Sequence, residues 1–272
     1  MTYFELQKQI EKSLTCGNAD FTAKQILFHN LKCDSTAFIK IRNLVADEKI
    51  INLSEEMAKK CNSGIPLYYV LGECEFYSLP FFVGEGVLVP RDDTEILVDE
   101  ALKAIENIKN PKVLDLCSGS GAIAVAIAKK RPDSAVDAVE LYDKAFCYLQ
   151  KNIKLNATEN VKAIKADALK FFGEYDLVVS NPPYIAQKEK NDLPKQVLFE
   201  PKTALFADDD GLEFYKKIAQ NFKINKKFTL IFEIGYKMEK SVTEILKNNG
   251  YSCIKTVKDY GDNARVIKAE KL

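Results

Sequence analysis

The segment Ser180-Asn181-Pro182-Pro183-Tyr184, placed directly after the apolar run Leu177-Val178-Val179, holds the residue types in this chain best suited to chemistry. Proline lacks an N–H and fixes φ, so two in succession end a sheet ladder and hold the neighbouring carbonyls in set directions. Asn181 adds a side-chain acceptor beside such a carbonyl, and Tyr184 adds an aromatic face. Two fixed acceptors suit a planar group that carries two N–H donors. A plain strand-ending turn would need none of them.

A second group precedes it. Asp115-Leu116-Cys117-Ser118-Gly119-Ser120-Gly121 leaves a predicted strand and opens a predicted helix. Glycines there let the backbone approach a ligand closely, and the start of the helix offers unpaired N–H groups. Glu140 ends the next strand about twenty residues on, where a carboxylate can accept hydrogen bonds from both hydroxyls of a ribose. Asp167-Ala168 follows the third strand, at the height of an adenine amino group. The loop and Glu140 alone are ambiguous. Gly119-x-Gly121-x-x-Ala124 also satisfies the looser nicotinamide-dinucleotide fingerprint, so a dehydrogenase stays open on those residues.

Composition narrows the classes. The chain has 272 residues, 47% of them hydrophobic and 29% charged, as in a globular protein long enough for a second small domain. Lys+Arg and Asp+Glu both number 39, so no net positive charge argues for capture of a polyanion, and no stable nucleic-acid partner is expected. The single histidine, His29, argues against a histidine-rich metal site and a Ser-His-Asp hydrolase, and no metal is expected. The seven cysteines are scattered without a C-x-x-C pair, the pattern of reduced thiols, and the expected compartment is the cytoplasm. No apolar run approaches the ~20 residues of a membrane span, and Glu5, Lys8, Glu11 and Lys12 interrupt any leader-like pattern at the start.

These residues need a scaffold, and the patterning describes one. Tyr3, Leu6, Ile10 and Leu14 are spaced for a helix behind a Thr2/Glu5 capping box. Asp20 is placed to cap a second helix, a third begins near Ser35, and a fourth is predicted after Ser54 with Glu55 and Glu56 in its first turn. Residues 1–73 thus read as a small all-α domain. Residues 74–90, with short apolar runs broken by Pro80, Gly84 and Gly86, read as a β-hairpin linker. Residues 91–272 alternate strands (113–116, 135–140, 161–165, 177–180, 228–234, 252–257, 265–269) with helices at 121–130 and 143–156. That alternation predicts a doubly wound α/β domain with helices on both faces of a mostly parallel sheet.

From Pro66 onward the chain resembles the bacterial release factor glutamine methyltransferases. The resemblance is carried by Gly72-x-x-Glu75-Phe76, Val89-Pro90-Arg91 through Thr94-Glu95, Asp115–Gly121, Asn181–Tyr184-Ile185, Glu200-Pro201 with Ala204-Leu205, and Asp259-Tyr260-Gly261-Asp262-Asn263. The Asn-Pro-Pro-Tyr tetrad by itself is shared with adenine-N6 methyltransferases. The resemblance implies a seven-stranded, Rossmann-like, S-adenosylmethionine-dependent methyltransferase domain. It implies cofactor contacts from Asp115, Cys117, Ser118, Gly119, Ser120, Gly121, Glu140, Asp167, Ala168 and Asn181. Asn181, Pro182, Pro183 and Tyr184 would face the substrate, with Asn181, Pro182 and Tyr184 catalytic. The implied reaction is N5-methylation of the glutamine in the Gly-Gly-Gln loop of class-I peptide chain release factors, with the helical domain 1–73 helping to recognise that protein. The other readings are glutamine methylation of a ribosomal protein, adenine-N6 methylation of nucleic acid, and a non-catalytic adaptor that senses the cofactor. Three residues depart from the family pattern: Cys117 for glycine, Glu140 for aspartate, and Asp92 for the proline after Arg91.

Overall fold

The computed structural model describes residues 1–222 and 228–271. They form two compact units, Met1–Glu73 with Pro194–Phe199, and Cys74–Leu193 with Glu200–Leu272.

The first unit is built on helices α1 (Tyr3–Ser13), α2 (Ala19–Leu31), α3 (Ser35–Ile41), α4 (Glu48–Asn62) and α5 (Leu67–Leu71). Thr2 and Glu5 close the capping box on α1: Thr2 Oγ1 accepts from the Glu5 N–H, and the Glu5 carboxylate accepts from the Thr2 N–H at 2.8 Å. Two expected boundaries move. The residue that precedes α2 is Asn18, at φ 58° and without a side-chain cap, while Asp20 lies inside the first turn and pairs with Lys24 at 2.5 Å. Helix α4 starts two turns earlier than Ser54 suggests, because Asp47 Oδ1 caps it by accepting from the Lys49 N–H at 2.8 Å. Ser54 is buried within that helix and its hydroxyl accepts from Asn30 Nδ2. A serine on an apolar face can therefore be a satisfied interior residue rather than a start signal. Leu6, Ile10, Ile26, Leu27, Phe38 and Ala58 make the core of the unit.

A hairpin follows, β1 (Glu73–Phe76) and β2 (Leu79–Phe82), turning through Tyr77 and Ser78, which both have φ above +50°. The turn is tighter than the 74–90 pattern suggests, because two left-handed residues reverse the strands at once.

The second unit centres on a seven-stranded sheet. Its strands are β3 (Lys112–Leu116), β4 (Ala135–Glu140), β5 (Val161–Lys165), β6 (Leu177–Ser180), β9 (Phe228–Glu233), β10 (Ser252–Lys258) and β11 (Ala264–Lys271). The two-residue strands β7 (Ile185–Ala186) and β8 (Phe206–Ala207) pair separately. The sheet order is β5-β4-β3-β6-β9-β11-β10, parallel from β5 to β9, with β11 antiparallel to both neighbours. Helices α6 (Glu95–Ala104), α7 (Ala122–Lys130) and α8 (Asp143–Leu155) pack together along the β4–β3–β6–β9 region. After the short α9 (Lys202–Leu205), helices α10 (Glu213–Asn221) and α11 (Glu239–Asn248) join Leu114, Leu116, Val178, Leu230 and Phe232 in a second apolar layer. The strand order therefore reverses between β3 and β6, and a doubly wound sheet binds ligands at the carboxyl ends of its strands at that reversal.

Gly121 secures the turn from β3 into α7. It has φ +82°, and a Cβ there would come within 2.5 Å of Leu149 Cδ1. Gly121→Ala combines left-handed strain, about 1–2 kcal/mol, with overpacking, about 1–3 kcal/mol, so the urea midpoint should fall by the equivalent of about 2–5 kcal/mol. An unchanged midpoint would mean that the turn yields freely.

Candidate active site

A cavity of about 480 Å³ opens where β3, β4 and β6 end. The loop Cys117–Ser120 lines it, together with Glu140, Asp167 and Ala168. Asn181 and Pro183 line it as well, and so do Arg91 and Thr94. Pro201, Phe206 and Phe214 complete the wall. Most of the residues singled out from the sequence are thus brought together. Asp115, Gly121, Pro182 and Tyr184 stand behind that wall rather than in it. Tyr184 packs its ring toward Gly235, and its main-chain carbonyl is so close to Gly211 that a Cβ on that glycine would lie 2.2 Å away.

The loop is held by the carboxylates around it. Glu140 Oε2 accepts from the Gly119 N–H and Oε1 from the Tyr142 N–H, both at 2.9 Å. Each oxygen keeps lone-pair capacity toward the cavity, since a carboxylate offers about four acceptor positions. Burial pushes the Glu140 carboxyl above its ordinary value, and the backbone N–H groups partly offset this. Asp115 lies beneath the loop with Oδ2 accepting from the Ala124 N–H at 3.2 Å, while Oδ1 is buried without a partner. Burial raises its pKa to about 7, with the charge on Glu140 adding to the effect. Ser118 N donates to Val139 O, and the Ser118 hydroxyl donates to Asp115 O, so the loop is pinned to two strands. Cys117 occupies φ +61°, a conformation that glycine takes without strain, and burial keeps its thiol protonated. Asp167 is engaged locally: Oδ1 accepts from the Leu169 N–H and Oδ2 pairs with Lys170 at 3.2 Å.

This arrangement fits a nucleoside with a cationic tail. A ribose diol suits the free lone pairs of Glu140, the Gly119 backbone leaves room for close approach, and the unpartnered Asp115 oxygen adds negative potential beneath the loop. Leu141 and Tyr142, both more than two-fifths exposed, line the same side of the cavity and offer apolar surface for a base.

Around Asn181 the structure adds partners that sequence reasoning missed. Asn181 Nδ2 donates to Thr94 Oγ1 at 3.3 Å, and the Thr94 hydroxyl donates to Glu233 Oε2 at 2.6 Å. Among the described residues, Asn181 Oδ1 takes no hydrogen bond from the protein. Arg91 Nη2 donates to both oxygens of the buried Glu200 at 2.7 and 2.8 Å, which ties the segment before the first α/β helix to the Glu200-Pro201 wall. Burial holds Glu200 above the ordinary carboxylate value, with Arg91 pulling it back. Arg265 is shared by Asp259 at 3.0 Å and Asp93 at 3.2 Å, so the Asp259–Asn263 turn and the residue after Asp92 meet through one guanidinium. No signal in the sequence pairs positions this far apart.

A parallel sheet reversed at β3/β6, a glycine loop with a diol-ready carboxylate, and an asparagine acceptor at the next strand end define a Rossmann-like, S-adenosylmethionine-dependent methyltransferase. The Methyltransferase small domain family matches residues 92–228. The release factor glutamine methyltransferase of Fusobacterium nucleatum is 42% identical over 236 residues, 84% of this chain and 66% of that longer protein. The enzyme of that name from Streptococcus pneumoniae is 34% identical over 276 residues, covering 98% of both chains. The chain belongs to the release factor glutamine methyltransferase family. In fold it also resembles the hMettl16 catalytic domain solved with the MAT2A 3′UTR hairpin 6, with a TM-score of 0.61 over 75% of this chain and 80% of that one at 18% identity.

Glu140→Ala removes the acceptor for a diol and frees the Gly119 and Tyr142 N–H groups at once. Affinity for S-adenosylmethionine, measured by calorimetry, should fall about ten- to a hundred-fold, the worth of hydrogen bonds to a charged group. Unchanged affinity would take Glu140 out of the binding site.

Proposed function

We propose that this protein transfers the methyl group of S-adenosylmethionine to the N5 amide nitrogen of the glutamine in the Gly-Gly-Gln loop of class-I peptide chain release factors. The observation that carries the reading is the Asn181 carboxamide at the cavity wall, anchored through Nδ2 and with Oδ1 left as an acceptor. The names of the relatives support a release factor glutamine as the substrate, and the Gly-Gly-Gln loop is the part this reading adds. The cofactor supplies an electrophilic methyl on a sulfonium.

An amide nitrogen is a poor nucleophile because its lone pair is delocalised into the carbonyl. Asn181 Oδ1 and the Pro182 carbonyl each accept one N–H of the glutamine, which fixes the amide plane and turns the nitrogen lone pair toward the donor. Such orientation alone can be worth about 7–11 kcal/mol. As the nitrogen becomes cationic, its N–H groups bind these two acceptors more strongly, so the transition state gains more than the ground state. Pro182 and Pro183 keep the acceptor carbonyl in place. Tyr184, standing behind the cavity wall and packed against Gly235 beside the Gly211 backbone, keeps that turn from shifting. No general base is needed before attack, and the surplus proton leaves to water afterwards.

The residues assigned to the cofactor are Asp115, Cys117, Ser118, Gly119, Ser120, Gly121, Glu140, Asp167, Ala168 and Asn181. Asp115 and Gly121 act from behind the wall, by shaping the loop. The helical unit of residues 1–73 is assigned to recognition of the release factor.

Adenine N6 offers the same two donors, but a flipped base usually comes with a basic track for its phosphates. The balance of 39 basic and 39 acidic residues provides no net charge for one. Labelled methyl transfer to release factor, ribosomes and DNA in parallel, followed by mass spectrometry, should find a single added methyl on the Gly-Gly-Gln glutamine and none on DNA. Methylated adenine with the glutamine untouched would overturn the reading. Asn181→Ala should lower the rate by about 10²–10³ while cofactor affinity changes much less, because the lost acceptor faces the substrate.

A further inference from the structure

Asn181 is the outer end of a chain of three side chains that runs inward through Thr94 to Glu233. Thr94 and Glu233 are both buried, and Glu233 closes β9, next to the end of β6. The chemistry of the three groups gives the chain a direction. An ionised carboxylate can only accept, so it claims the single proton of the Thr94 hydroxyl. The Thr94 oxygen is then left as an acceptor, and Asn181 must meet it with its NH₂ end. The observed bonds, Nδ2 to Oγ1 at 3.3 Å and Oγ1 to Oε2 at 2.6 Å, follow that order.

We propose that Glu233, acting through Thr94, is a positioning residue that decides which end of the Asn181 carboxamide faces the substrate. With Glu233 ionised, Oδ1 faces outward and can accept the substrate N–H. With Glu233 carrying a proton taken from solvent, the chain reverses. Glu233 donates to Thr94, the Thr94 hydroxyl donates to Asn181 Oδ1, and Nδ2 turns outward against the N–H donors of the substrate. This rests on the reading of Asn181 as the acceptor for the substrate amide.

The surroundings place the switch within reach of ordinary pH. Burial raises the Glu233 pKa to about 7, while the Thr94 hydrogen bond, the Arg265 guanidinium and, least, the Asn181 amide itself lower it and Asp93 raises it. The groups that face it come from every neighbouring element. Arg265 reaches in from β11 but shares its charge with Asp259 and Asp93. Tyr215 on α10 donates its hydroxyl to the Glu233 main-chain oxygen at 2.9 Å. The Tyr184 phenol, pushed up to about 12 by burial and by Glu233, stays neutral throughout. Asp115, beneath the cofactor loop, is raised to the same range, but within this chain of three side chains Glu233 is the group whose charge changes near neutrality, and the acceptor orientation is gained as pH rises.

The test is the pH profile of kcat for methylation of release factor at saturating cofactor. The unaltered protein should show an acid limb, rising with pH through about 7. Thr94→Val keeps the shape but removes the hydroxyl. It should flatten that limb and lower kcat about ten-fold on the alkaline side, leaving cofactor affinity unchanged. Thr94→Ser, which restores the hydroxyl, should restore both the limb and the rate. Glu233→Gln is neutral at every pH and should also lose the limb. Should that variant fail to fold, the Thr94 pair carries the test alone. A Thr94→Val enzyme with normal kcat and an intact acid limb overturns the proposal. If Asn181→Ala is inactive while Thr94→Val behaves normally, the relay is wrong and the proposed function stands. If neither substitution matters, the acceptor role of Asn181 falls with it.

Discussion

The site depends on two neighbouring parallel strands, β3 and β6, that stop side by side while their continuations part. After β3 the chain turns through the Cys117–Gly121 loop into α7, and after β6 two prolines carry it away from the sheet. Because the strand order reverses between them, nothing from the sheet itself fills the gap at their carboxyl ends. The loop that can cradle a nucleoside and the asparagine that can hold a substrate nitrogen thus face each other across one opening. Their separation is set by the sheet's hydrogen-bond register, Leu116 opposite Ser180, rather than by mobile loops.

Around that opening the protein keeps four acidic side chains out of water, each for a different reason. Glu140 is neutralised in effect by backbone N–H groups, Glu200 by Arg91, and Glu233 by a hydroxyl with Arg265 at a distance. Asp115 is the least satisfied, with one oxygen unpartnered. Burying a carboxylate is costly unless it is hydrogen-bonded. The fold gives all four a hydrogen-bond partner, and leaves one Asp115 oxygen without one directly beneath the loop where a ligand is expected. Strain has the same address: Cys117 sits at φ +61° within that loop. Unsatisfied charge and unusual backbone concentrate where binding must be stronger than folding alone would require.

Much of the architecture was legible in the sequence because it rests on local rules. β4 and β5 begin and end where the apolar runs do, and the Thr2/Glu5 box starts its helix. Cys117–Ser120, Asn181 and Pro183, which line the cavity, were found through motifs that pack several unusual residue types into five to seven consecutive positions, and Glu140 and Asp167 through their place after a strand. The misreadings are of another kind. Ser54 and Asp20 have the chemistry of cap residues, but Asp47 captured one helix start and a left-handed Asn18 precedes the other, so the polar side chains found different partners. Thr94 and Glu233 could not be paired in advance. They lie 139 residues apart, and each alone is an ordinary residue at the edge of an element. Periodicity reports burial and spacing along one segment, whereas a hydrogen-bond chain across β6 and β9 exists only after the sheet has formed.

The six residues Pro194–Phe199 belong to the helical unit although the chain on either side of them belongs to the other. Phe199 places its ring about 3 Å from where a Cβ on Gly64 would be, which gives the detour a definite landing point. The helical unit is therefore not finished when residue 73 leaves the ribosome. Its last piece emerges only after β3 through β6 have been made, so the unit's full set of contacts forms only once that part of the sheet has been synthesised. For the same reason a cut after residue 73 does not release a complete module. It leaves the helices without one of their own segments and strands that segment in the half that remains.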